Sequence, residues 1–120
     1  MANILVVDDQ KAIRSMFKAI LDTTSHDSDF AEDGAIAYSA AKGKYYSLIL
    51  ADMMMPNMDG LELTQKLRKL TTYEDTPIFI VSSSQSEDKK LAARQAGANG
   101  WVVKPVTPER VLKLVSQTIG

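Results

Sequence analysis

One hundred and twenty residues fit a single domain, and a core of that size can bury roughly two-thirds of the unfolded chain's surface. There is no cysteine, which excludes disulfides, zinc–thiolate centres and cysteine nucleophiles. The formal net charge of −1, with acids and bases interspersed, leaves no basic stripe to hold nucleic acid. The opening Met1–Asp9 has no basic segment, and its apolar run is too short for a signal peptide or a membrane span. A cytoplasmic location is the expectation.

Ile4–Val7 is a β-branched run that stops at two acids, Asp8 and Asp9. Continuous apolar runs, rather than alternations, mark strands buried on both faces of a parallel sheet. From Lys11 to about Asp22, the apolar residues Ile13, Met16, Phe17, Ile20 and Leu21 recur at helical spacing, with Asp9 at or just before the N-cap. A weaker strand is read at Ser28–Ala31, a turn at Glu32–Gly34, and an alanine-rich helix at Ala35–Ala41, with Ile36 and Ala40 on one face and Gly43 as its stop. Tyr46–Ala51 is the third strand, ending at Asp52. Gly60 to about Leu70 is helical through Leu61, Leu63, Leu67 and Leu70, and Thr71–Thr76 reads as loop. Ile78–Val81 is the fourth strand and stops at Ser82-Ser83-Ser84. Glu87–Gln95 is helical, Trp101–Val103 is the fifth strand, and it ends at Lys104-Pro105. Pro108 opens the last helix, with Val111, Leu112, Val115 and Ile119 expected inward.

Strands alternating with helices predict an α/β doubly wound domain, whose ligands bind outside the carboxyl ends of the strands. At those ends the chain carries Asp8, Asp9, Asp52, Ser82, Ser83 and Lys104. Each residue alone has an ordinary explanation as a cap, a turn or a solvated charge. Their joint placement after four separate strands has none. Clustered carboxylates repel, and one is protonated unless a cation sits among them. Few carboxylates, with room for water and a phosphate oxygen, suit Mg²⁺ better than caged Ca²⁺. With no cysteine and only His26, zinc and copper are disfavoured. Asp52 is the candidate carboxylate nucleophile towards phosphorus, and Lys104 with the cation neutralises charge on the phosphoryl oxygens and keeps Asp52 ionised.

Asp8-Asp9, the run Asp52-x-x-x-Pro56-x-Met58-Asp59-Gly60, Ser82 and Lys104-Pro105 resemble the receiver domains of two-component response regulators, across essentially the whole chain. The segment Gly97–Pro105, with Pro108-Glu109 beyond it, is similar to the stand-alone chemotaxis regulators of the CheY type. The resemblance implies a flavodoxin-like (βα)5 three-layer sandwich, strand order 2-1-3-4-5, over residues 1–120 with no output domain. It implies that Asp52 is the phosphoacceptor and takes a phosphoryl group from a phosphohistidine kinase. Mg²⁺, with Mn²⁺ able to substitute, is held by Asp8, Asp9, Asp52 and the main-chain carbonyl of Met54. Ser82, Ser83 and Lys104 bind the phosphoryl, Trp101 is the switch aromatic, and Met54 and Ser84 tune its lifetime. The implied partners are a chemotaxis-type sensor histidine kinase, a downstream protein such as the flagellar motor switch, and a phosphatase. Nucleic acid and membrane are not among them, and the domain is expected to be a monomer.

The implied protein is a switch rather than an enzyme, with a phosphorelay intermediate as the alternative. An aspartyl-phosphate phosphatase is less well matched. It needs a second acid two residues after the nucleophile, where this chain has Met54. A flavin carrier of the same architecture is disfavoured because Asp8-Asp9 would repel phosphate. Serine at 82 lacks threonine's methyl and stiff χ1. His26 reads as a solvent-facing or capping residue. Met53, Met54, Met55 and Met58 read as mixed core and loop filling, and Lys89, Lys90 and Arg94 as a small basic helix face.

Overall fold

The computed structural model describes all residues, Met1–Gly120. In chain order it consists of β1 (Asn3–Val7), α1 (Lys11–Leu21), β2 (Asp27–Ala31), α2 (Gly34–Gly43), β3 (Leu48–Asp52), α3 (Gly60–Arg68), β4 (Ile78–Ser82), α4 (Glu87–Ala96), β5 (Gly100–Val103) and α5 (Pro108–Ile119). The strands form one parallel sheet in the order β2-β1-β3-β4-β5. This is the flavodoxin-like three-layer fold.

Successive strand side chains point to opposite faces, and here both faces are covered. Leu5, Val7, Ile49, Ala51, Ile78 and Ile80 pack with Ala37 and Ala41 of α2, Leu63 and Leu67 of α3, and Ala93 of α4. Ile4, Val6, Leu48, Leu50 and Val81 meet Phe17, Ile20 and Leu21 of α1, and Val111 and Val115 of α5. The apolar runs of β1, β3 and β4 are continuous for that reason. Helix starts are fixed by side-chain caps: Asp33, Asp59, Ser86 and Thr107 accept from the amides of Ile36, Glu62, Lys89 and Arg110. Helix α4 ends on Gly97 at φ 110°, a left-handed cap that suits glycine.

Several expectations are corrected. Ile36 is exposed, and α2 buries its alanines Ala37 and Ala41 instead, because small residues let it lie close to the sheet and α3. Leu112 is 37 % exposed, and Leu114, on the opposite side of α5, is partly buried against the core with Val111 and Val115. Thr71–Tyr73 forms a 3-10 turn rather than open loop. It buries Tyr73, whose hydroxyl donates to the carbonyls of Ala41 and Lys44 and accepts from the Tyr46 amide. Strand β3 starts at Leu48, so Tyr46 is core but not strand. Gln10 is the N-cap of α1 and makes no side-chain capping bond, and Asp9 stands just before it, the second of the two positions expected. His26 is half-buried and caps no helix. Its Nδ1 accepts the Ala2 amide at 3.0 Å, tying down the start of β1.

Candidate functional site

The acids stand where β1 and β3 leave the sheet, at the crevice where the crossovers diverge to opposite faces. Asp8 follows β1 directly, and its amide donates to the carbonyl of Ala31, the last residue of β2. It is only 2 % exposed. Its two carboxylate oxygens have separate partners: the Gln10 amide on Oδ1 at 2.9 Å and the Lys104 ammonium on Oδ2 at 3.0 Å. The Asp8 carbonyl accepts from the Arg14 guanidinium at 2.9 Å, which braces the turn into α1. Asp9 is exposed, and Asp52, the last residue of β3, is partly so. One carboxylate oxygen from each of Asp8, Asp9 and Asp52 lies within 4.8 Å of the others.

Lys104 reaches this cluster from the end of β5. Its amide donates to the Ser82 carbonyl at 2.8 Å, so the backbone stays tied to β4 as the chain turns away. Its ammonium bridges Asp8 and Asp52, at 3.0 Å and 3.5 Å. Burial and the adjacent Asp8 charge push the Asp52 carboxyl above the ordinary carboxylate range. Lys104 pulls it down and Asp9 adds a little upward. The upward causes win. Lys104 by itself therefore only partly offsets the burial of Asp52 and the repulsion from Asp8, which leaves a role for a cation beside it.

The loop after Asp52 is closed tightly. Gly60 donates its amide to the Met53 carbonyl at 3.0 Å, and a Cβ at Gly60 would collide with the main-chain oxygen of Asp52. Met53 and Met58 turn into the core, whereas the Met54 side chain is 68 % exposed. The mixed core-and-loop reading of the methionines holds. On the other side of Asp52, Ser82 is buried at the end of β4, one residue beyond the register partner of Asp52. Its Oγ accepts the Ser84 amide at 3.1 Å, and the Ser84 carbonyl accepts the Trp101 indole N–H at 3.0 Å. Ser84 Oγ accepts the Ser86 amide, and Ser83 is exposed. Ser82, Ser84 and Trp101 thus form one hydrogen-bonded chain from the site to the edge strand. Among the basic residues of α4, Lys90 pairs with Glu87 at 3.4 Å, while Lys89 and Arg94 face solvent.

Two concave surfaces matter for placement. A groove of about 550 Å³ lies at the amino ends of β3 and β4, and none of the acids, Ser82–Ser84, Trp101 or Lys104 lines it. A hollow of about 250 Å³ opens beside the site, between Ile13 and Met16 of α1 and the Lys104–Val106 turn, with Ser83 on its rim. Sequence reasoning missed Arg14 and the Gln10 amide as supports of Asp8, since neither belongs to an acidic or phosphate-like motif. It also missed a bond from Asn57 to Asp33 that holds the Met54 loop. The only sequence signal for it is an Asn directly after Pro56 in a loop, a residue that tolerates positive φ.

The donor set suits a hard divalent cation: three carboxylates around one crevice, with main-chain carbonyls in the loop beyond Asp52 and no cysteine or histidine in the cluster. Residues 4–116 match the response regulator receiver domain. The chain belongs to that family. Receivers are signalling switches of two-component systems, and phosphorylation and magnesium binding are typical of them. This receiver is 35 % identical over 109 residues to the transcriptional regulatory protein SrrA of Staphylococcus aureus. The match takes in 91 % of this chain and 44 % of SrrA, so the chain spans less than half the length of that relative. It superposes on the chemotaxis response regulator CheY4 of Vibrio cholerae with a TM-score of 0.94, at 34 % identity, covering 99 % of both chains. The receiver domain of the Pseudomonas aeruginosa sensor kinase PA1611, solved with magnesium in its active-site cleft, matches at TM-score 0.91 and 24 % identity, over 99 % of this chain and 98 % of that one. That likeness is one of fold. No helix of the receiver is long and apolar enough to cross a membrane.

Proposed function

We propose that this receiver accepts a phosphoryl group on Asp52 from a phosphohistidine, and that the change at Asp52 switches its choice of protein partner. The observation that carries the reading is the shared ammonium: Lys104 bridges Asp8 and Asp52 inside a triad of acids at the carboxyl ends of the strands. An Asp52 oxygen attacks phosphorus, a P–O bond forms as the P–N bond breaks, and the electron pair of that bond leaves with the imidazole nitrogen. Lys104 is the cation of the chain placed to neutralise the incoming phosphoryl oxygens. Asp8, Asp9, Asp52 and the Met54 carbonyl are the groups that would hold Mg²⁺ or Mn²⁺. Such an ion, when bound, supplies charge neutralisation on the phosphoryl group and relieves repulsion among the acids.

Ser82 then has two competing partners. Turning its hydroxyl towards the phosphoryl takes the acceptor from the Ser84 amide. Because the Ser84 carbonyl holds the Trp101 indole, the disturbance passes to β5 and the α4–β5–α5 face. Ser83 offers its backbone N–H to the phosphoryl. Met54, exposed two residues after Asp52, has a thioether that cannot donate a proton, which favours a switch over a phosphatase. Met54 and Ser84 set phosphoryl lifetime, Met54 by crowding attacking water.

Within signalling, the likeness to CheY4 supports a reading as chemotaxis, with a histidine kinase as donor and the flagellar motor switch as target. The similarity to SrrA supports a second reading, transfer within a relay that ends in transcription. The test is intact-protein mass after incubation with a small phosphodonor. One phosphoryl is gained with Mg²⁺, and none is gained when a chelator is present from the start. An Asp52→Asn variant that labels equally overturns the assignment.

A further inference from the structure

The loop from Met53 to Asp59 follows directly on β3 and includes Met54, whose carbonyl is the one main-chain ligand in the metal site proposed above. Nothing in that loop fixes Met54 from its own side, because the side chain is exposed. The loop is instead fastened from outside, to the turn between β2 and α2. Asn57 donates its side-chain amide to Asp33 Oδ2 at 2.9 Å, and Gly34 donates its backbone amide to the Met58 carbonyl at 3.1 Å. The approach is so close that a Cβ on Gly34 would collide with that same carbonyl oxygen. Asn57 adopts φ 67°, the left-handed region that few side chains enter without cost. The carboxylate of Asp33 is divided between two tasks, with Oδ1 capping α2 through the Ile36 amide and Oδ2 holding Asn57.

We infer that Asn57 and Asp33 are positioning residues that set where the Met54 carbonyl stands and thereby tune the site for Mg²⁺ over larger cations. This rests on the metal-site reading above. Mg²⁺ requires near-ideal octahedral geometry and short oxygen contacts, whereas Ca²⁺ accepts flexible shells at longer distance. A main-chain ligand in a loop meets the stricter demand only when the loop cannot drift, and the clamp is what stops drift on the side away from Gly60. Outer groups that orient a ligand commonly carry a factor of about ten or more in metal affinity.

The test is calorimetric titration of the full chain with Mg²⁺ and with Ca²⁺, in wild type, Asn57→Gly, Asp33→Ser and Asp9→Asn. Asn57→Gly deletes the amide donor while keeping the left-handed backbone accessible. Asp33→Ser keeps a good helix cap but is too short to hold Asn57. The expected result is an Mg²⁺ dissociation constant raised about tenfold in both clamp variants, with a clearly smaller change for Ca²⁺. Equal weakening of both ions, together with a lowered melting temperature, would mean a merely structural bond and overturns the inference. Unchanged Mg²⁺ binding overturns it as well. The Asp9→Asn arm separates the two levels. If wild type binds Mg²⁺ and Asp9→Asn does not, the metal site stands and the clamp variants decide the inference alone. If wild type binds no Mg²⁺, both fall together.

Discussion

Replacing Lys104 by alanine is the sharpest perturbation of the charge cluster in the absence of metal. Asp8 is 2 % exposed and loses the only partner of its Oδ2, keeping just the Gln10 amide on Oδ1. Breaking a buried ion pair by removing one partner costs about 3–5 kcal/mol, because an uncompensated charge is left behind. The Lys104 side chain is 18 % exposed, so truncation admits some water to Asp8. A loss of about 2–3 kcal/mol is the expected result in metal-free buffer near neutral pH. For a domain of this size, that corresponds to a fall of about 8–12 °C in Tm. Urea or thermal unfolding in the presence of a chelator measures it. Adding Asp8→Asn to Lys104→Ala should recover part of the loss by removing the stranded charge, a non-additivity that a double-mutant cycle reads directly. Saturating Mg²⁺ should narrow the gap, since a divalent charge takes over the neutralising role among the acids. A Lys104→Ala protein within about 0.5 kcal/mol of wild type without metal would refute the reasoning.

Two further outcomes follow from the titrating groups. The Asp52 carboxyl is raised by burial and by Asp8, so its ionised form opposes folding when no metal is present. Stability from this group is full below the unfolded value of about 3.9 and is lost as pH rises through the raised folded value. Asp52→Asn should therefore increase the urea midpoint at about pH 7 in chelator and give no gain at about pH 3. Asp29 is displaced in the opposite direction, held below the ordinary range by hydrogen bonds from Lys44 and then Tyr46. Its contribution is present above the unfolded value and lost as pH falls through the lowered folded value. Tyr46→Phe should cost about 1 kcal/mol at neutral pH and little at the acid end, read from urea unfolding at several pH values.

The sheet was legible because β1, β3 and β4 are buried on both faces, so each reads as an apolar run that stops where the functional residue begins. Strand β2 was harder. It sits at the edge, pairs only with β1, and carries Asp27 and Asp29 outward, so pattern alone marks little beyond Phe30 and Ala31. Helix α2 misled in a different way. Hydropathy favours Ile36 as the buried residue, but close approach to the sheet selects alanine. In α5 the true inner positions are Val111 and Val115, with Leu114 and Ile119 partly covered, and Leu112 falls on the solvent side. The acids, Ser82 and Lys104 could be collected at one rim from topology alone. That Lys104 spans two acids, that Trp101 bonds the Ser84 carbonyl, and that Asn57 holds Asp33 are contacts between residues distant in the chain. No local periodicity encodes them.

The central claim is that the phosphoryl group resides on Asp52 as an acyl phosphate. Borohydride reduction of the phosphorylated protein converts an aspartyl phosphate to homoserine, and tandem mass spectrometry then locates it. The predicted result is homoserine in place of Asp52 and nowhere else. Homoserine in place of Asp8, Asp9 or Asp59, or a borohydride-resistant phosphate on Ser82, Ser83 or Ser84, would contradict it.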